Sequence, residues 1–523
     1  VRFVALPTVI ASMNNRRISI QGEPALQGGS PNEKGLLLIS RSLRVLIPAL
    51  LCFAGAGSVA NAQAYSQQHL APQPLPSASP KAFTWNAQIR AYDFERFNKD
   101  QSAANPNRTA FESAVILHGN YQFEGTKLSV GATYEGADPF GVNPPGTAKT
   151  AQANGRIDNS LPGFQLSTLD EAYVRYNTGA SLITVGDQIL NDPWLYTDSR
   201  IKPDSYRGLT SEFALSDAWS VGFTRITEAE FRTDNNFGPQ NLLTTVSAGG
   251  QNPPPGFPAH PGAGGTDGFY RFDTSWHPNS QLTATFDNFQ FIDLAQMFYG
   301  EGRYNFAPQL SYNPFLRLQA VDETQEGKAL AGVINNQTLG FQVGATVAKN
   351  LVLTFAGDDA PWHYQTVSAA SAAAAEAPYF VSVATNKPGI AQSLGGGLFR
   401  VAYGGIASPY TDNYATDPLY TTSLTQGMVD NRAAGDTYKT QLTWTGFHRQ
   451  LVTYVSEAWY NYSNDISLDK STEFNADATY YFNRVRASGP YHGFAFRERY
   501  GSRTQDVAPF DFKYLRTQFY YSL

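Results

Sequence analysis

The stretch "LGFQVGATV" at 339–347 alternates without a break, with Leu339, Phe341, Val343, Ala345 and Val347 on one face and Gly340, Gln342, Gly344 and Thr346 on the other. A period of two marks an extended strand with one apolar face. The pattern recurs at Leu316, Leu318 and Ala320 against Arg317 and Gln319, and at Phe474, Ala476, Ala478, Tyr480 and Phe482 against Glu473, Asn475, Asp477 and Thr479. It returns at the end of the chain, where Leu515, Thr517, Phe519, Tyr521 and Leu523 oppose Arg516, Gln518 and Ser522. Such faces suit either a sandwich core or a lipid-facing barrel wall.

The connections separate the two. Very short turns, "FEGT" 123–126, "NTGA" 177–180, "SDA" 216–218, "HPNS" 277–280, "APQ" 307–309 and "AKN" 348–350, alternate with mostly long ones. A transmembrane barrel has tight turns on one rim and large loops on the other. Strands are expected at 83–94, 110–123, 126–135, 168–177, 181–188, 205–215, 218–228, 268–277, 281–291, 296–306, 310–321, 337–347, 350–357, 436–446, 450–460, 472–482, 493–500 and 511–523. An unpaired backbone group in hydrocarbon costs several kcal/mol, so strands crossing a membrane must close on themselves. The expected fold is therefore all-β: an 18-stranded antiparallel transmembrane β-barrel over residues 83–523, open to water except where loops fold inward.

Composition agrees. Aromatic residues make up 13% of the chain, and Gly (45) and Pro (31) far outnumber Met (3) and Cys (1), as suits strands and turns. Arg41 and Arg44 precede the apolar run "VLIPALLCFAGAG", followed by "SVANA" with an Ala60-Asn61-Ala62 cleavage pattern. Residues 1–62 are read as an N-terminal extension plus secretory signal, cut after Ala62, and the Pro/Ser/Gln-rich 63–82 as a flexible leader. Residues 1–62 hold six of the 38 Lys/Arg and two of the 44 Asp/Glu, which leaves 32 basic and 42 acidic side chains and a net charge of −10. A nucleic-acid partner needs a basic footprint and is excluded. Beyond residue 62 no apolar run reaches the roughly 18 residues of a membrane-spanning helix.

One connection is too elaborate for a hairpin. "VGDQILNDPWLYTDSRIKPDSYRG" at 185–208 breaks strand alternation with two prolines, four aspartates and a Trp-Leu-Tyr cluster, then resumes near Tyr206. A two-residue turn suffices to reverse a strand, so this hook is a candidate plug for the lumen. Pro193 and Pro203 stiffen it by fixing φ.

With that hook, "LAQMFYGEGRYNF", "EGKALAGVINNQT" (326–338), "DPLYTTSLTQG" and "GDTYK" (417–439), "EFNADATYYF" and "GFAFRERYG", the chain resembles the OprD-type substrate-specific outer-membrane porins over most of residues 83–523. The spaced match Asp198-Ser199-Arg200, Pro203, Gly208 is the most specific part. The resemblance implies that the third outer loop (189–204) and the seventh (about 358–435) fold inward to form an eyelet, with a row of lumenal arginines guiding carboxylate-bearing solutes. The Pro/Gly-rich fourth outer loop, 235–267, aligns with nothing in the family.

Parity places Arg90, Arg175, Arg303, Arg317, Lys439, Arg497, Arg499 and Arg516 in the lumen, with Arg200 and Arg207 at the hook. Guanidinium groups spaced by about 7 Å along a strand can pass an anion on without holding it tightly. The alternative is that these cations pair with lumenal acids such as Glu171, Glu301, Glu473 and Asp477 and only solvate the wall. Asp198 either meets a substrate amino group or caps a turn beside Arg200. Trp194, Leu195 and Tyr196 are read as packing the loop to the wall.

No enzymatic activity is expected: Asp273, Ser275 and His277 share one strand face, too far apart for a proton relay. No His spacing suits a metal, "GEG" at 300–302 is no phosphate loop, and no cofactor is called for. The acids of "GDDAP" (357–361) and "VDET" (321–324) are placed in outer loops, as loose Ca²⁺ ligands or solvated groups.

The reading is an outer-membrane porin, monomeric or loosely trimeric, passing small hydrophilic solutes, above all carboxylates or amino acids. Outer-membrane lipid, lipopolysaccharide and the barrel-insertion machinery are its other partners. A same-fold channel for uncharged solutes such as oligosaccharides and a loop-bearing adhesin are the competing readings.

Overall fold

The alternating segments pair with their sequence neighbours into one closed sheet. The computed structural model describes residues 82–99, 106–143, 157–158, 160–195, 200–245, 264–331, 334–361, 363–368, 391–396, 398–411, 418–431, 434–462, 470–483, 493–505 and 511–523. The signal and most of the leader, Tyr196, Asp198 and Ser199, and residues 246–263 of the fourth loop lie outside the described residues.

The first strands are β1 (Phe83–Asn98), β2 (Arg108–Gln122), β3 (Leu128–Asp138), β4 (Leu166–Asn177), β5 (Ser181–Gln188), β6 (Ser205–Ser216) and β7 (Trp219–Glu230). They continue as β8 (Phe269–Trp276), β9 (Leu282–Phe291), β10 (Ala295–Asn305), β11 (Phe315–Gln325), β12 (Asn335–Ala348) and β13 (Leu351–Ala360). Three short strands, β14 (His363–Ser368), β15 (Ala391–Gly395) and β16 (Leu398–Tyr403), form a separate sheet within the seventh outer loop. The wall resumes with β17 (Gly435–Gly446), β18 (Leu451–Tyr462), β19 (Lys470–Tyr481), β20 (Gly493–Gln505) and β21 (Phe512–Ser522).

Eighteen strands make the barrel, each antiparallel to the next. The ring closes where β1 pairs with β21, from Gln88↔Ser522 to Asn98↔Phe512. No sheet edge is left in the ring, which is the condition for crossing hydrocarbon.

The outer wall is apolar. Val174 and Val185 face each other across β4 and β5 and are each 50% exposed. Near the tight-turn rim, aromatic pairs two residues apart stack edge to face: Tyr121 with Phe123, Tyr304 with Phe306, and Tyr480 with Phe482. Exposed aromatics in such numbers are a liability in water and form the interfacial girdle of a transmembrane barrel.

Several strands extend past the alternating pattern at the outer end. β11 runs from Phe315 to Gln325 rather than over 310–321, and β13 continues to Ala360. Above the lipid the outward face no longer needs apolar residues, so ladder pairing continues after the hydrophobic period has faded. "VDET" and most of "GDDAP" are therefore strand, not loop. Glu323 accepts a hydrogen bond from Ala407 N at 2.7 Å, and Asp358 accepts from Thr421 N at 2.8 Å and its hydroxyl at 2.6 Å. Both acids fasten the seventh loop.

The outer half of the lumen is packed. Trp194 and Leu195 of the third loop, Phe231 and Leu243 of the fourth, and Ile406, Tyr410 and Met428 of the seventh bury together against Phe269, Phe289, Met297 and Tyr299 of the wall. A second cluster joins Ile157 and Leu161 of the second loop and Ile201 of the third to Tyr92, Phe94 and Tyr514. Among the described residues the second and fourth loops also turn inward, beyond the two that the resemblance implied.

Candidate functional site

Within β5, shortly before the third loop, Gly186 takes φ 125°, and a Cβ there would collide with the Ala172 carbonyl. Asp192 then turns the chain, its Oδ1 accepting from Trp194 N at 2.8 Å. Trp194 is fully buried edge to face on Tyr299, with centroids 5.5 Å apart, and Thr411 of the seventh loop donates to its carbonyl at 2.7 Å.

Opposite charges fix the two ends of this loop. Asp192 Oδ2 lies 2.7 Å from Arg271 Nη2 on β8, and Arg271 also meets Asp287 at 2.5 Å and Asp273 at 3.2 Å. At the far end Lys202 is wholly buried, its Nζ 3.2 Å from Glu230 and 3.4 Å from Asp170. Burial alone would lower the Lys202 pKa, but Asp170, Glu230, Glu135 and Asp204 hold it above its ordinary value. Between the ends, Arg90 Nη1 donates to the carbonyls of Arg200 (3.2 Å) and Ile201 (3.3 Å).

The expected lumenal cations fall into two sets. In the first, acids answer the charge: Arg317 pairs with Glu301 at 2.5 Å, and Arg497 and Arg499 share Asp477 at 2.6 and 2.8 Å. Arg303 lies over Phe315, and Arg175 over Tyr173 with Nε donating to Thr184 at 3.2 Å. Lys439 donates to the Thr422 carbonyl of the seventh loop at 2.6 Å. Of the remaining acids, Glu473 accepts from Ser423 (2.8 Å) and Thr425 (2.6 Å), and Glu171 from Thr133 at 2.5 Å.

The second set lies at the closing seam. Arg516 sits directly opposite Arg499 in the ladder and stacks over Phe94 and Tyr514 at 4.9 and 4.5 Å. Its Nε and Nη1 find no acceptor among the described residues, nor do any of the three nitrogens of Arg200, although both side chains are about 1% exposed. Burial, with Arg516 and Arg232 alongside, pushes the Arg200 guanidinium well below its ordinary pKa. Buried charged donors without acceptors are costly, and an oxyanion supplies the missing lone pairs.

Arg207 departs from expectation. The loop ends at Asp204, and alternation in β6 buries Tyr206 and turns Arg207 to the outer face, where it pairs with Asp187 (2.7 Å) and Glu228 (2.6 Å). It does not line the constriction.

Other important groups were missed. Arg271 shares its strand face with Asp273 and Ser275, so parity alone could have found it. Asp170 was hidden by a β-bulge: Thr133 pairs with Glu171 but Tyr134 with Leu169, so two consecutive acids point inward. An acid at a position that strict alternation assigns to lipid was the available signal.

No protein-family profile and no curated protein matches this sequence. Solved structures do. A BenF-like porin from Pseudomonas fluorescens aligns with TM-score 0.63 at 13% identity, over 84% of this chain and 98% of that one. OccAB3 of Acinetobacter baumannii aligns with TM-score 0.62 at 11% identity, over 84% and 99%. OpdK of Pseudomonas aeruginosa, solved with vanillate, aligns with TM-score 0.57 at 14% identity, over 84% and 98%. The closed 18-stranded barrel is thus the fold of the OprD-type porins.

Proposed function

We propose that the chain is an outer-membrane channel for passive diffusion of small hydrophilic solutes bearing a carboxylate, in which arginines guide the anion past the third loop. The observation that carries this reading is the pair of buried guanidinium groups where that loop meets the seam: among the described residues no nitrogen of Arg200, and neither Nε nor Nη1 of Arg516, finds an acceptor. Arg90 on one side and Arg499 and Arg497 on the other continue the basic wall. Asp477 offsets one of the last two charges, which keeps the row from binding an anion too tightly for transport.

A row of this kind raises the local anion concentration within a protein that is acidic overall. OpdK was solved with vanillate, itself a carboxylate, which supports the same solute class here. A channel for uncharged solutes would need aromatic side chains of the third loop to line the eyelet, but Trp194 is spent on packing against Tyr299. An adhesin would display its long loops outward, whereas the described parts of the fourth and seventh bury apolar side chains inside the barrel.

Liposome swelling tests the proposal. Vesicles holding the purified barrel are expected to swell faster in small carboxylates than in neutral sugars of the same size. Equal rates would leave a plain pore, and no swelling in any solute would remove the channel.

A further inference from the structure

An arginine on the outward face of the barrel is out of keeping with its surroundings. Arg225 lies on β7 between Leu209 of β6 and Tyr270 of β8 in the ladder, with its guanidinium 4.5 Å from the centre of the Tyr270 ring. Two residues down the strand Phe223 faces Phe272, and the two are 42% and 49% exposed in the apolar surface that meets lipid. Tyr270 stands one residue inside the end of β8, where the fourth outer loop rejoins the wall. Arg225 therefore sits at the outer edge of the apolar band, level with the headgroups of the outer leaflet. Its Nη1 donates to the carbonyls of Ile226, of Asp267 at 2.7 Å and of Phe269 at 3.4 Å, which pins the guanidinium to the end of the fourth loop. Nε and Nη2 share the other edge of the plane. Among the described residues they meet no acceptor, and no carboxylate pairs with the charge. Arg207, the neighbouring outward arginine, gives the contrast, because Asp187 and Glu228 both answer it.

We infer that Arg225 is a lipid-binding residue, whose Nε and Nη2 take a phosphate of lipopolysaccharide in the outer leaflet while Phe223, Tyr270 and Phe272 bear against the acyl chains below. A guanidinium held at one corner, with its bidentate edge left open, has the geometry that grips a phosphate. The occupant follows from charge and place. It must be an oxyanion, and it must reach the wall from the membrane side. The rim that carries the long loops faces the leaflet built of a phosphorylated glycolipid. Because Nη1 holds carbonyls at the end of the fourth loop, the bound lipid also steadies that end. The site is on the opposite face of the wall from the lumen and does not depend on which solute the channel passes.

The test is a melting curve of the delipidated barrel in detergent as lipopolysaccharide is titrated in. A ligand that binds only the folded state raises the melting temperature by mass action. The wild type is expected to melt higher with lipopolysaccharide, and to gain much less from lipopolysaccharide stripped of its phosphates. Arg225→Gln should need about tenfold more lipid for the same rise, as expected for loss of a charged hydrogen-bonded contact. Lys513→Gln, which removes a cation from the exposed face of β21 at the seam, should respond as the wild type does. Arg225→Lys keeps the charge but not the planar edge, and its titration should fall between the two. If Arg225→Gln does not fold, that displacement decides the matter alone.

A wild type indifferent to lipopolysaccharide overturns the site, as does a titration unmoved by either change at Arg225. An equal rise with the phosphate-stripped lipid overturns it too, because the acyl chains alone then account for binding. So does an equal rise with phosphatidylglycerol micelles or with inorganic phosphate, since the occupant is then not lipopolysaccharide.

Discussion

Replacing Lys202 with methionine is expected to loosen the third loop and widen the channel. The side chain is wholly buried between Glu230 and Asp170, with Glu135 close by. Removing one partner of a buried ion pair leaves the other charge uncompensated, at a cost of about 3–5 kcal/mol. The eighteen-strand ladder does not depend on this residue, so the barrel should still assemble and the cost should fall on the loop. Single-channel recordings should show higher conductance, more flicker and weaker discrimination among solutes. The defect should shrink in acid, because protonating the stranded carboxylates removes the uncompensated charge. Conductance and noise identical to wild type would show that Lys202 does not hold the loop.

A charge placed on the outer wall should be nearly as costly, by a different route. Val174 on β4 is half exposed and faces Val185 across the ladder, in a continuous apolar surface. Val174→Arg puts a guanidinium into hydrocarbon, which costs about 2–4 kcal/mol near the bilayer midplane and much less near either interface. The same change at Gln441, on the inward face of β17, should cost little, since the lumen admits polar groups. Folding yield into vesicles and resistance to urea measure both. Equal tolerance at the two positions would mean that the outer face does not meet lipid.

The strands could be read from the sequence for the same reason that these two sites differ. Lipid demands apolar side chains at every second position, and that demand writes a period of two into segments such as Leu339–Val347. It lapses above the membrane, which is why β11 and β13 run on unannounced to Gln325 and Ala360. Inside the barrel no comparable rule applies. That the second and fourth loops also fold inward depends on apolar residues such as Leu161 and Phe231 finding partners far away in the chain, and nothing in local spacing reveals it.

Parity assigns an arginine to a strand face but not to a partner. Whether an arginine is free or neutralised depends on cross-strand register, and Asp477 opposite Arg499 could not be paired with it without knowing the ladder. Arg207, expected at the hook, and Asp170, which the sequence did not single out, both lie where regular alternation begins or slips. At Arg207 the loop ends and strand alternation resumes, and at Asp170 a bulge shifts the count. A reading built on a period of two is most fragile at such places.

Arginines at the seam are proposed to select carboxylates. Arg497, Arg499 and Arg516 changed together to Gln, with uptake into liposomes followed for benzoate and for a neutral sugar of similar size, test it most directly. Benzoate uptake is expected to fall severalfold while sugar uptake stays within about twofold, since a bidentate charged contact is worth roughly 1.5–3 kcal/mol and the bore changes little. Equal losses for both solutes, or none for benzoate, would contradict the claim.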